Sequence, residues 1–126
     1  MKKIIIGWEE WCSLPDLGIP ILKFKTDTGA TTSALHAVSI ETFFKDSHEY
    51  AQFTTSPSSG KITNPISCVA PVTRRKEVTS SNGITENRIV ICTPIILGGR
   101  TWPIELTLTD RTFMDYRMLL GREAMV

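Results

Sequence analysis

Apolar and polar residues alternate with a period of two along almost the whole chain, and that one pattern excludes most folds. A period of two sends successive side chains to opposite faces of an extended strand, whereas a helix needs apolar residues every three to four positions. The 126 residues therefore predict an all-β protein. Ile4 to Trp8 and Ile19 to Thr26 read as short strands, separated by the turn-rich Ser13-Leu14-Pro15-Asp16-Leu17-Gly18. Leu35 to Phe44 reads as a strand that reverses around Lys45-Asp46-Ser47 into Glu49 to Thr55, forming a hairpin. Thr54 to Pro65, with Ser56-Pro57-Ser58-Ser59-Gly60, has no periodicity to bury and predicts an exposed, mobile loop. A long hairpin follows, with arms Val72 to Thr79 and Ile84 to Leu97. Its tip, Ser80-Ser81-Asn82-Gly83, contains the Asn-Gly pair that supplies the positive φ of a tight turn. A second hairpin turns at Gly98-Gly99-Arg100 and pairs Ile95 to Leu97 with Trp102 to Thr109. The last apolar run, Met118-Leu119-Leu120, ends at Gly121 and leads into Arg122-Glu123-Ala124-Met125, a candidate short C-terminal helix.

With 41% apolar residues, a chain of this length can bury a core without disulfides or metal, and no repeat or linker divides it. Residues 1–126 are expected to form a single domain. Lys and Arg number 14 against 13 for Asp and Glu, so net charge points to neither nucleic acid nor an anionic membrane as partner. No stretch reaches the roughly 18 apolar residues of a spanning helix. The opening Met1-Lys2-Lys3-Ile4-Ile5-Ile6 imitates a signal peptide, but Trp8, Glu9 and Glu10 end its apolar run too early. Cys12, Cys68 and Cys92 are odd in number and contain no C-x-x-C unit, which predicts reduced thiols in a cytoplasmic protein.

The segment that carries chemistry is Asp27-Thr28-Gly29-Ala30, directly after an apolar strand. A carboxylate at a strand exit is rigidly held yet exposed. Gly29 lets the backbone turn, and the Thr28 hydroxyl can reach a partner loop. Two such carboxylates brought together cannot both ionise cheaply, so they share a proton: one activates water while the other polarises a carbonyl. Alone, the tripeptide is equally an ordinary turn. The second element is Met118-Leu119-Leu120-Gly121-Arg122, an apolar run followed by Gly and Arg.

Together these two elements resemble the retropepsin-like aspartic proteases, in which an apolar-apolar-Gly segment runs behind the D-T-G loop. The resemblance is closest to the family that goes under the name of ATP-dependent zinc proteases. It covers nearly the whole chain through Ile6-Gly7-Trp8-Glu9-Glu10-Trp11, Leu14-Pro15-Asp16-Leu17-Gly18-Ile19, Lys25-Thr26-Asp27-Thr28-Gly29-Ala30 and Thr32-Ser33-Ala34-Leu35-His36-Ala37. It continues through Ser80-Ser81-Asn82-Gly83, Trp102-Pro103-Ile104-Glu105, Leu108-Thr109-Asp110-Arg111 and the Met118 to Arg122 run. The resemblance implies a closed β-barrel of the acid protease fold, Asp27 as catalytic carboxylate, Thr28 and Gly29 shaping its loop, and Asn82-Gly83 in the place of a flap. It also implies a homodimer. Chain length agrees, since one D-T-G occurs and about 126 residues is half of a two-lobed enzyme; a two-fold axis brings both Asp27 residues together. Members occur near, or fused to, ATP-grasp ligases that add glutamates to a ribosomal protein, so the resemblance implies trimming of polyglutamate tails and a ligase partner. Thr31 stands where members commonly place Lys or Arg after D-T-G-A, which removes one contact to an acidic substrate.

Other basic residues bear on the same substrate. Arg74, Arg75, Lys76 and Arg88 fall on the flap-like hairpin, and Lys23 and Lys25 share the strand parity of Asp27. Arginines on opposed strands can grip carboxylates bidentately, with a solvated face as the alternative. Candidate substrate contacts are thus Ala30, Thr31, Lys25, Arg74, Arg75, Arg88, Asn82 and Gly83. No H-E-x-x-H or phosphate-binding loop is present, so neither a metal nor a cofactor is expected and any ATP dependence would come from a partner. His36 reads as a packed or hydrogen-bonded residue beside the active loop, Asp110 as a turn or ion-pair carboxylate, and Trp8, Trp11 and Trp102 as core or interface. Two functions follow: a homodimeric aspartic peptidase, or a non-catalytic binding module of the same fold for acidic peptides or an ATP-grasp ligase.

Overall fold

The computed structural model describes residues 9–27, 29–57, 65–79, 82–112 and 114–124. The strand expected at Ile4–Trp8, the Thr28 side chain, Ser58–Gly60 of the proposed loop, Ser80–Ser81 of the hairpin tip and Met125 lie outside these residues. The described residues form nine strands: β1 (Glu9–Leu14), β2 (Ile19–Thr26), β3 (Ser33–His36), β4 (Val38–Lys45), β5 (His48–Thr55), β6 (Ile66–Thr79), β7 (Thr85–Leu97), β8 (Arg100–Thr109) and β9 (Met118–Leu120). Their order in the sheet is β1-β2-β9-β3-β8-β7-β6-β5-β4, and β1 returns to β7 where Ser13 lies opposite Ile96. The first six strands in that order therefore close into a barrel, as expected. Beyond β7 the sheet continues outward through β6, β5 and β4.

Alternation along the strands fills the barrel. Leu14, Leu22 and Phe24 from β1 and β2 meet Ile91 and Ile95 of β7, Leu106 of β8 and Met118 and Leu120 of β9, all fully buried. Cys12 and Cys68 join this core, and burial pushes their thiols up to about 12 and about 11 respectively. All three cysteines are free. The turns fall where their residues demand: Asp46 and Ser47 adopt φ of 52° and 67°, and Gly98 and Gly99 adopt 59° and 77°. No helix among the described residues is long and apolar enough to cross a membrane.

Three expectations are corrected. The strand read as Leu35 to Phe44 is two strands. The Ala37 N–H bonds to the Thr109 carbonyl (2.9 Å), which keeps the end of β3 on the barrel. A left-handed Ser39 (φ 54°) and a register shift between Val38 and Glu41 then redirect β4 towards β5. The β6 arm begins at Ile66 rather than Val72, because Ile66–Pro71 pairs with β5 before the chain reaches the hairpin. Finally, the C-terminal helix is one 3-10 turn, Arg122–Ala124, pinned by the Trp102 indole N–H to the Ala124 carbonyl (2.9 Å). Of the tryptophans expected in core or interface, Trp102 packs against the core and Trp11 is 55% exposed, outside it.

Candidate active site

Asp27 sits at the end of β2, where β9 inserts between β2 and β3. β9 runs parallel to β2 (Lys25 opposite Leu119, Thr26 opposite Leu120) and antiparallel to β3 (Ala34 opposite Leu119). The Asp27 N–H continues that ladder to the Leu120 carbonyl (3.0 Å), so the residue leaves the sheet from a fixed point. Its carboxylate Oδ1 then accepts the Gly29 N–H (3.0 Å), and the Ala30 N–H closes the turn on the Asp27 carbonyl (3.2 Å). The half-buried carboxylate is oriented by backbone and faces an exposed Gly29.

The opposite wall of this loop comes from the chain's late residues. Gly121 lies so close beneath it that a Cβ there would stand 2.6 Å from the Thr32 carbonyl carbon and oxygen and 3.0 Å from the Ala30 oxygen. Only glycine permits that approach. The Gly121 N–H donates to the buried Ser33 Oγ (2.9 Å), and the Ser33 carbonyl accepts from the Thr107 hydroxyl (2.9 Å). The 3-10 turn completes the frame: the Arg122 and Glu123 N–H groups bond to the Ala30 and Thr31 carbonyls (2.9 and 3.0 Å). Thr31, expected to be a substrate contact, also accepts the Arg122 guanidinium at its hydroxyl (2.9 Å). Gly121 belongs to the apolar-Gly segment expected behind this loop, whereas Ser33 and Thr107 are supporting residues to which the sequence assigned no role; an i,i+2 alternation says which face they occupy but not which backbone groups they bond.

The hairpin of β6 and β7 carries the remaining candidates. Its arms pair from Val72 opposite Ile91 to Thr79 opposite Thr85, and the tip includes Asn82 and Gly83, the latter at φ 85°. The arginines do grip carboxylates bidentately, though those of this chain. Arg74 holds Glu105 (3.0 and 3.3 Å) and Arg75 holds Glu49 (2.9 and 2.7 Å). These bonds draw both glutamates below the usual carboxylate range. Arg88 is nearer the barrel: its Nε donates to Glu86 (2.7 Å) and its Nη1 to the Thr107 hydroxyl (3.4 Å). Thr107 thereby links the hairpin's root to Ser33 and the Asp27 loop. Lys23 pairs with Glu9 and lies 5.5 Å from the Trp11 ring centre, while Lys25 is opposite Leu119 on β9.

A groove of about 530 Å³ lies at that root, lined by residues 37–40, Glu86–Arg88 and Leu108–Asp110. It does not include Asp27. His36 lies behind it at the far end of β3, away from the active loop, 4% exposed, with Nδ1 accepting the Arg111 N–H (2.8 Å). Burial, reinforced by the Arg117 charge, holds the imidazole below its usual range. Arg111 and Arg117 are themselves buried: Arg111 Nε donates to the Tyr116 carbonyl (2.9 Å) and Arg117 Nη1 to the Arg111 carbonyl (3.3 Å), while the buried Arg117 Nε has no partner among the described residues. Asp110 is a turn carboxylate, accepting the Thr112 N–H (2.9 Å) and hydroxyl. Among the described residues nothing fits zinc: the Nδ1 lone pair of His36 is already used, and no group of three or more His, Cys, Asp or Glu could hold a metal ion.

The chain is 50% identical over 125 residues to a probable alpha-L-glutamate ligase of Parasynechococcus marenigrum, and 48% identical over 126 residues to one of Desulfotalea psychrophila. These matches cover 99% and 100% of the chain but only 27% of each relative's length. A crystal structure of a Legionella pneumophila protein of unknown function superposes with a TM-score of 0.79 at 31% identity, covering 98% of this chain and 87% of that one. The family model described as the retropepsin-like aspartic endopeptidase RimB matches residues 5–126. The chain belongs to the RimB-like family of retropepsin-like aspartic endopeptidases.

Proposed function

We propose that the chain is a homodimeric aspartic peptidase that hydrolyses a peptide or glutamyl bond in an acidic, glutamate-rich tail. The observation that carries this reading is the Asp27 carboxylate, oriented by the Gly29 N–H at the exit of β2 and standing in the only D-T-G of the sequence. A second carboxylate then has to come from a second copy across a two-fold axis. With the two about 3 Å apart they share a proton. The ionised one takes a proton from water, the oxygen attacks the carbonyl carbon, the C–N bond breaks, and the leaving amine takes the proton. Thr28 and Gly29 shape the loop; Ala30, Thr31, Lys25, Arg74, Arg75, Arg88, Asn82 and Gly83 contact the substrate in this proposal. The closer kinship with the so-called ATP-dependent zinc proteases and a cytoplasmic setting belong to the same reading, with ATP used by a partner rather than by this chain.

Hydrolysis of a glutamate-tailed peptide and of a mixed peptide library, by wild type and Asp27→Asn from acidic to neutral pH, tests it. Cleavage lost in the variant supports the peptidase. Absence of cleavage by a dimeric wild type that binds the tail would sink it in favour of a binding module. One finding favours that second reading: the similar proteins are named ligases and contain this chain as 27% of their length. On either reading the partner is an ATP-grasp glutamate ligase.

A further inference from the structure

The wall of the barrel formed by β8, β7, β1 and β2 has an outer surface that the peptidase reading does not use. Strand parity places the outward residues. On β1 and β2, Trp11 lies opposite Lys23, and Ile21 is two residues before Lys23 on the same face. On β7, the buried Ile91, Thr93, Ile95 and Leu97 point inward, so Cys92, Pro94 and Ile96 point outward. Ile96 adjoins Ser13 of β1, and Pro94 lies opposite Pro103 of β8. Trp11 is 55%, Ile21 57% and Ile96 38% exposed. Lys23 stands over the Trp11 ring and pairs with Glu9, and Glu105, opposite Cys92, pairs with Arg74. An exposed aromatic anchor among apolar side chains with ion pairs beside it is the composition of a protein interface.

We propose that this outer wall, centred on Trp11, Ile21 and Ile96, is the surface on which the ligase portion of an alpha-L-glutamate ligase docks. The relatives supply the argument for the occupant. Each contains essentially all of this chain, at close to half identity, together with polypeptide amounting to nearly three times its length. In those proteins the barrel has a permanent, covalently joined neighbour, and neighbours within one chain commonly bury several hundred Å² or more. A second copy is the poorer occupant. At about 3.3 Å per strand residue, Lys23 beside Trp11 lies about 13 Å and Ile21 about 20 Å from Asp27, so a two-fold axis through the Asp27 loops leaves this wall uncovered. The inference rests on the ligase partnership proposed above, not on catalysis by Asp27.

Cys92 provides a native probe, since it is partly exposed on this wall while Cys12 and Cys68 are buried and unreactive internal controls. This chain is substituted for the matching segment of the full-length Parasynechococcus marenigrum ligase. Alkylation of Cys92 is then followed by peptide mass spectrometry in that protein and in the chain alone. Docking predicts alkylation at least ten-fold slower in the ligase, restored to the isolated rate by Trp11→Glu with Ile96→Glu. Equal rates, protection that survives the double substitution, or slowing in the isolated chain as its concentration rises (a second copy on the wall) would each overturn the proposal. Hydrolysis of a glutamate-tailed peptide is read on the same preparations. Protection without hydrolysis removes the peptidase reading and keeps the docking surface; hydrolysis without protection does the reverse.

Discussion

The Asp27 loop and the β6–β7 hairpin are built on opposite principles. Around Asp27 almost every contact is a backbone hydrogen bond, to Leu120, Ala30, Thr31 or Gly29, and the one close approach excludes any side chain at Gly121. The hairpin is held to its neighbours by side-chain ion pairs at the surface, Arg74 with Glu105 and Arg75 with Glu49. On the peptidase reading, a carboxylate that meets a second one at hydrogen-bond distance needs fixed geometry, whereas a hairpin covering a variable peptide can rest on contacts that solvent weakens.

Substitutions in the two regions test that contrast. The largest effect is expected for Asp27→Asn, which keeps an oxygen for the Gly29 N–H but removes the ionisable pair; hydrolysis should fall by about a thousandfold or more while thermal stability barely changes. Gly121→Ala follows, because its methyl collides with the Thr32 backbone, and denaturant titration should show a loss of about 2–4 kcal/mol. By contrast Gly83→Ala, at φ 85° in open space at the hairpin tip, should cost only about 1 kcal/mol. Ser33→Ala orphans the buried Gly121 N–H and should cost about 1–3 kcal/mol by the same titration.

A smaller, pH-dependent effect belongs to His36. Its folded state holds the proton more weakly than the unfolded chain, so the unfolded state binds more protons just below the ordinary imidazole range. Stability should therefore fall as pH drops from about 6.5 towards the folded value, and melting curves of His36→Gln should lack that slope. Smallest of all, Arg75→Ala should barely move the denaturation midpoint, and less again in high salt. A large loss there would mean that the hairpin is not held as loosely as its surface pairs imply.

How much of this was legible in the sequence follows from the same contrast. Ile19–Thr26 was readable at both ends because its apolar alternation is clean and a turn precedes it, and the tight turns announced themselves through Asn82-Gly83 and Gly98-Gly99. The passage of β9 between β2 and β3 left no periodic trace; only the resemblance carried it. The break at Ala37 was invisible because alternation runs through it, and Ile66–Pro71 was overlooked because Pro65 and Pro71 argue against a strand. The buried arginines, Arg111 and Arg117, contradict the usual exposure of charge and are explained only by the carbonyls that meet them. Nor could the sequence say that Arg75 already holds Glu49, a partner set by the register of β5 on β6 rather than by spacing.

The position of β9 also orders events in time. The strand that anchors Asp27 comes from residues 118–120, separated from β2 by most of the chain, so the Asp27 loop rests on one of the longest-range pairings in the fold. During synthesis, β2 can emerge and the hairpins can form while the Asp27 carboxylate still has no frame behind it. The frame arrives only with β9, and the peptidase reading needs a second copy after that. On the peptidase reading, hydrolytic competence is thus the final product of folding and assembly, which keeps a nascent chain from cutting its surroundings.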